Sequence, residues 1–324
     1  SAGKITVNGV TAGNTGTISG TTTLSSTGEI EFSTAASVFD NALSVSSDDL
    51  VDIDQDVSSA TGNLSINGDA DTDSDSNDQI TIATGVTLAA GGSLSLDAEN
   101  GGIVLSGSGD TVTIQTTGGT GNITLSDDVS DTGTATNLVL STHSSASSGD
   151  ISVQAISAGY VQIDAAATSV GDVSINGNII AAAANGGIGI DIDATKDVTV
   201  AGTLRTTDGG TAQDIDIDAG NEFTLSSGGI DSDNDVFITA TADIEIDGAI
   251  TADGSVVVDG TTITATANIS SDANTDATGD VDLGATGAIS QTGGTINANN
   301  GFAKIVSSGS TVGLVDVDSA GANT

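Results

Sequence analysis

"QDIDIDAGNEFTLSSGGIDSDNDVFITATADIEIDGAI", from Gln213 to Ile250, alternates apolar and polar residues over short runs and then repeats the device about twenty residues later. Strict alternation is the signature of a strand with one buried face, since successive side chains point to opposite sides. The clearest series is "IDIDA" at 215, "VFITA" at 236 and "VVVDG" at 256. A second series is "FTLSS" at 223, "IEIDG" at 244 and "ITATA" at 263. A repeat of that length is too short to bury a core by itself, so equivalent strands must stack on their neighbours. The expectation is an all-β chain: a single-chain parallel β-helix (β-solenoid), right-handed, with about 20–25 residues per coil and two or three short strands in each.

Gly, Asn, Asp and Ser separate the strands. The 44 glycines supply positive-φ turn positions, and the lack of proline leaves every ladder donor in place. Five Phe and one Tyr, with no Trp, suit a narrow aliphatic interior better than the aromatic anchors of a β-sandwich. Residues 61–310 read as solenoid repeats. Residues 1–60, which hold Phe32 and Phe39, read as a less regular cap or subunit-contact segment, and 311–324 as a terminal strand or tail.

Charge is the second constraint. Against 44 acids stand Lys4, Lys196, Arg205 and Lys304, for a net charge of −40. Such a chain repels phosphate, so no nucleic acid and no anionic surface is expected as a partner. No apolar run is long enough for a membrane span. With no cysteine there is neither a disulfide framework nor thiolate chemistry. The chain lacks Met, which reads as a processed or excised form, and "SAGKITV" would fit the start left by signal-peptide removal.

"GDVSINGNIIAAAANGGIGIDIDATKDVTVAGTLRT" (171–206) and "ADIEIDGAITADGSVVVDGTTITATANI" (242–269) resemble the repeats of secreted bacterial β-helix proteins: filamentous-haemagglutinin-type adhesins, autotransporter passenger domains and β-strand-repeat surface proteins. The resemblance implies secretion and a cell-surface or extracellular location, with adhesion or scaffolding as the role. It implies no catalytic residues. The expectation drawn from it is a structural surface protein that stacks head-to-tail into filaments or a matrix. An adhesin passenger with a polysaccharide or host-surface ligand, a calcium-dependent S-layer subunit, and a distant polysaccharide-active enzyme are the alternatives.

The aspartates admit two readings. In "DIDID", Ile215 and Ile217 point inward and Asp214, Asp216 and Asp218 outward, with Asp191 and Asp193 expected on one side and Asp243, Glu245 and Asp247 on the other. Like charges across a ladder repel unless salt screens them or cations bridge them. One reading is a solvated face that blocks sideways sheet pairing. The other is structural Ca²⁺, with Asp69, Asp71, Asp73, Asp75, Asp191, Asp193, Asp214, Asp216 and Asp218 as candidate ligands. "DADTDSDSND" (69–78) lacks the Gly and Glu of an EF-hand, and "GGIGIDIDA" (186–194) has Asp193 where a calcium nonapeptide wants a large apolar residue. Arg205 and Lys196 are expected in local salt bridges. No cofactor is required. Asn63, Asn122 and Asn268 lie in N-x-S/T sequons.

Overall fold

The computed structural model describes residues 3–71, 77–118, 121–133, 135–143, 149–165, 171–183, 185–207, 212–271, 279–314 and 316–319. By backbone contacts the chain divides into two compact units, Ser1–Gly171 and Asp172–Thr324. Each unit is a parallel β-solenoid, as the alternation predicts. Each coil visits three sheets in turn. In the first unit one such round is Leu50–Ile53 (sheet 1), Val57–Ser59 (sheet 2) and Leu64–Asn67 (sheet 3); in the second it is Gly229–Ser232, Val236–Ala240 and Asp243–Ile246. Among the described residues the strands pair in parallel, each with its equivalent in the next coil, apart from one isolated antiparallel bridge between Asn185 and Ile188. The strands between residues 5 and 59 join the same three sheets as the rest of the first unit. The short helix Ala12–Thr15 is the exception among the described residues.

Register places like on like. Ile30, Val51, Ile80, Ile103, Val129 and Ile156 form one inward row of sheet 1 in the first unit. Leu43, Leu64, Leu94, Ile123 and Ile151 form one of sheet 3. In the second unit Ile217, Ile238, Val258 and Leu283 do the same on sheet 2. These side chains are buried to 2% exposure or less. A one-residue slip would turn each row outward, so the alternation itself fixes the register.

Coil length varies more than the repeats suggest. Asp243 and its partner Thr262 are 19 residues apart, whereas Ser65 and Ser95 are 30 apart. The rows named above hold through this variation, while the pairing of Ile188–Ala194 with Asp214–Ala219 shifts register between Ile188 and Ile190. Corners are tight where small residues stack: a Cβ on Gly202 would meet the carbonyl of Gly177, and one on Gly228 (φ +65) would meet that of Gly202. No described helix is long and apolar enough to cross a membrane.

Candidate functional site

The outer faces carry the acids, and they are partnered in two ways. The first is the ladder. Asp191 lies opposite Asp216 and Asp193 opposite Asp218 on sheet 2 of the second unit, while Ile215 and Ile217 are fully buried. The expected continuation through Asp243, Glu245 and Asp247 is not there. In the next coil Asp216 faces Phe237 and Asp218 faces Thr239. The 243–247 run begins one strand further round the coil, on sheet 3, where Glu245 lies between Thr224 and Thr264. There Asp243 accepts a hydrogen bond from the Thr262 hydroxyl and Asp247 one from that of Thr266, 2.7 Å long. Downstream, the acid ladder therefore ends at Asp216 and Asp218. Half-burial, then the charges of Asp218, Asp191 and Asp214, push the Asp216 carboxyl above its ordinary range.

The second arrangement is at the corners. One residue before a strand, Asp, Asn or Ser accepts the backbone N–H of the equivalent residue in the next coil. Along sheet 3 the Ser93 N–H donates to Asn63, that of Asn122 to Ser93 (3.2 Å) and that of Asp150 to Asn122 (3.0 Å). Along sheet 2 the N–H of Asp235 donates to Asp214, that of Ser255 to Asp235 (2.6 Å), that of Asp280 to Ser255 and that of Phe302 to Asp280 (2.8 Å). Asp172 and Asp197 accept in the same way from Asp197 and Glu222. A corner N–H has no ladder partner by itself, and these oxygens supply one. Two of the sequon asparagines, Asn63 and Asn122, belong to this series, and Asn268 accepts likewise from the Thr295 N–H.

Of the sequence-predicted cation ligands, Asp191, Asp193, Asp216 and Asp218 face one another across two strands of sheet 2. Asp69 is buried at 1% exposure and accepts from the backbone and side chain of Asn100 at 3.0 and 2.7 Å. Asp71 is exposed; Asp73 and Asp75 lie outside the described residues. Asp214 serves the corner. "GGIGIDIDA" forms a turn at Gly186 and Gly187 and then the strand Ile188–Ala194. A group that the sequence reading missed is Glu31, Asp52 and Asp54, each with a carboxylate oxygen within 4.8 Å of the others. Glu31 and Asp52 are register partners on sheet 1, which no local motif announces. Burial first, then Asp54, Glu29 and Glu31, raise the Asp52 carboxyl, while Lys4 opposes them. Lys4 sits 2.8 Å from Glu29 and 3.0 Å from Glu31.

The other three cations also pair locally. Lys196 meets Asp172 at 3.3 Å, Arg205 meets Asp231 at 3.3 Å, and Lys304 meets Asp282 at 2.6 Å. For Arg205 and Lys196 this is the pairing expected from sequence. These are surface pairs, weakened by water and salt.

Stacked coils with corner ladders describe an architecture, and relatives must supply the biology. The model of the TamB C-terminal domain matches residues 6–291. The chain belongs to that family. No curated protein and no solved structure is significantly similar to it. Membership corrects three expectations. TamB is a bacterial outer-membrane assembly protein, so the likeness to filamentous-haemagglutinin-type adhesins extends to bacterial β-solenoid repeats and no further. The extracellular filament, adhesin or S-layer role is overturned. So is the free secreted location, because the TamB family is tied to the inner and outer membranes of the envelope. The physical reason is that alternating strands and small turns specify coil stacking, which proteins of different employment share.

Proposed function

We propose that the chain is a structural β-solenoid segment of a bacterial envelope protein that serves outer-membrane protein assembly or phospholipid transport. The match of the TamB C-terminal domain over residues 6–291 carries this reading. Two features of the units support a scaffolding part in that work. Their interiors are filled with Ile, Val and Leu at close to zero exposure, which leaves an acyl chain no inner route. Their outer faces are acidic and locally paired, which suits a rigid spacer in an aqueous compartment. In this reading the chain carries no catalytic group and needs no cofactor.

The test is genetic. The gene is replaced by one lacking this segment, and assembled outer-membrane β-barrels and the leaflet distribution of phospholipid are measured. Defects in either, repaired by the intact segment, are expected. Wild-type barrel levels together with wild-type lipid distribution would overturn the reading. Photo-crosslinking a phospholipid analogue to inward positions such as Ile238 would overturn the spacer role.

A further inference from the structure

The outward side of sheet 2 in the second unit changes character along the stack. One outward row runs Asp218, Thr239, Asp259, Gly284, Val306, and a second runs Asp216, Phe237, Val257, Asp282, Lys304. Beyond the acid ladder these rows enclose an open groove of about 590 Å³ lined in part by Asp259, Gly260, Asp282, Gly284, Lys304 and Val306. That volume is within the usual range for a ligand site. Gly284 hollows it: a Cβ there would meet the carboxylate of Asp259. Among the residues that line it, Val306 is exposed at 45%. Lys304 closes on Asp282 and not on Asp259. The groove therefore offers the Lys304–Asp282 pair, the exposed side chain of Val306 and the Asp259 carboxylate, which Lys304 feels but does not bridge, in a chain of net charge −40.

We propose that this groove is a docking site for a basic, apolar segment of a partner protein, with an aliphatic side chain seated over Gly284 against Val306 and a neighbouring ammonium or guanidinium on Asp259. Charge complementarity selects the partner: an acidic segment meets Asp259 and the field of the whole chain, whereas a basic one is steered toward both. Val306 stands beside the hollow as an exposed apolar residue that such an aliphatic side chain can cover. The inference stands on the groove and is independent of the envelope reading.

The probe is a fluorescein-labelled hexapeptide of alternating lysine and valine, titrated by anisotropy onto the full chain in 0.15 M salt. Saturable binding is expected. Asp259→Lys weakens it by about tenfold or more, while Glu245→Lys, the same charge change on sheet 3, stays within about twofold. Val306→Asn, which keeps all charges, also weakens it. Circular dichroism and the melting transition certify each variant as folded. Equal weakening by Asp259→Lys and Glu245→Lys would assign binding to net charge and overturn the site. Equal affinity for an alternating serine–valine peptide would overturn the role of Asp259, and the lack of saturable binding would overturn the proposal. Dimerisation of the chain by sedimentation that Asp259→Lys abolishes would replace the partner with a second copy.

Discussion

Asp216 is an acid whose own surroundings oppose its charge. It is half-buried on a strand face, with Asp218, Asp191 and Asp214 around it, and its carboxyl titrates above the ordinary range for those reasons. Asp52 is displaced the same way by burial, Asp54, Glu29 and Glu31. Asp97 is displaced by burial, by its hydrogen bond with Asp127 and by that residue's charge. A carboxyl with a folded pKa above the unfolded value holds its proton more tightly in the folded state. Stability then falls as pH rises through the interval between the two values. Mild acidification from pH 7 should therefore raise the melting temperature, with the gain from these three groups complete below about pH 4, the unfolded carboxyl value. The raised pKa values of Lys4, Lys196 and Lys304 act elsewhere, because their contribution is lost only as pH climbs through the lysine range. Asp216→Asn should raise the melting temperature at pH 7 and change it little at pH 4. A wild-type melting temperature that falls as pH is lowered through the carboxyl range to about pH 4 would contradict this account. The alternation made Asp216 conspicuous in the sequence. That its neighbour one coil on is Phe237, and not another acid, depends on coil length and could not be read locally.

At the scale of the element, the strand entry matters more than the strand face. Asp235 accepts the Ser255 N–H at 2.6 Å, while its own N–H donates to Asp214. Replacing it with Ala leaves the Ser255 N–H without its acceptor, at a cost of about 1–2 kcal/mol. Asp235→Asn keeps the oxygen and removes one charge, so its unfolding midpoint in urea should stay close to wild type. If Asp235→Ala and Asp235→Asn unfold at the same midpoint, the corner bond contributes nothing. The signal for these corners was present in the sequence as an Asp, Asn or Ser just before the first inward residue, as in Asn63–Leu64, Asn122–Ile123 and Asp172–Val173. It was overlooked because the same residues also make ordinary turns. The Glu31–Asp52–Asp54 group is different in kind. Asp52 and Asp54 are neighbours in one coil, and the register Glu31↔Asp52 brings Glu31 to them from the coil before.

For the whole molecule, the readable part was the solenoid and the unreadable part was its employment. Inward rows such as Ile217, Ile238 and Val258 follow from alternation plus recurrence, and that is enough to require parallel stacking, while the choice of three sheets over two in each coil comes from the structure. Those rows say nothing of membranes or partners, because the core of a stacked coil looks the same whatever its outer face does. Core dependence should be strong. Phe223, fully buried between Val198 and Ile244, should cost about 3–5 kcal/mol as Phe223→Ala in urea unfolding. Modularity should be equally plain. Asp235 and Ser255 occupy the same corner 20 residues apart, and Val236 is in register with Val256. Deleting 236–255 joins Asp235 to Val256 and removes one whole coil while every row keeps its facing. Deleting only 236–245 leaves the following strands out of phase with the three sheets. A chain in which each coil touches only its neighbours tolerates the first change and not the second. The full-coil deletion should retain the β circular-dichroism signal and a cooperative thermal transition, and the half-coil deletion should lose the transition. Equal damage from both would mean that stability in this unit depends on contacts reaching beyond adjacent coils.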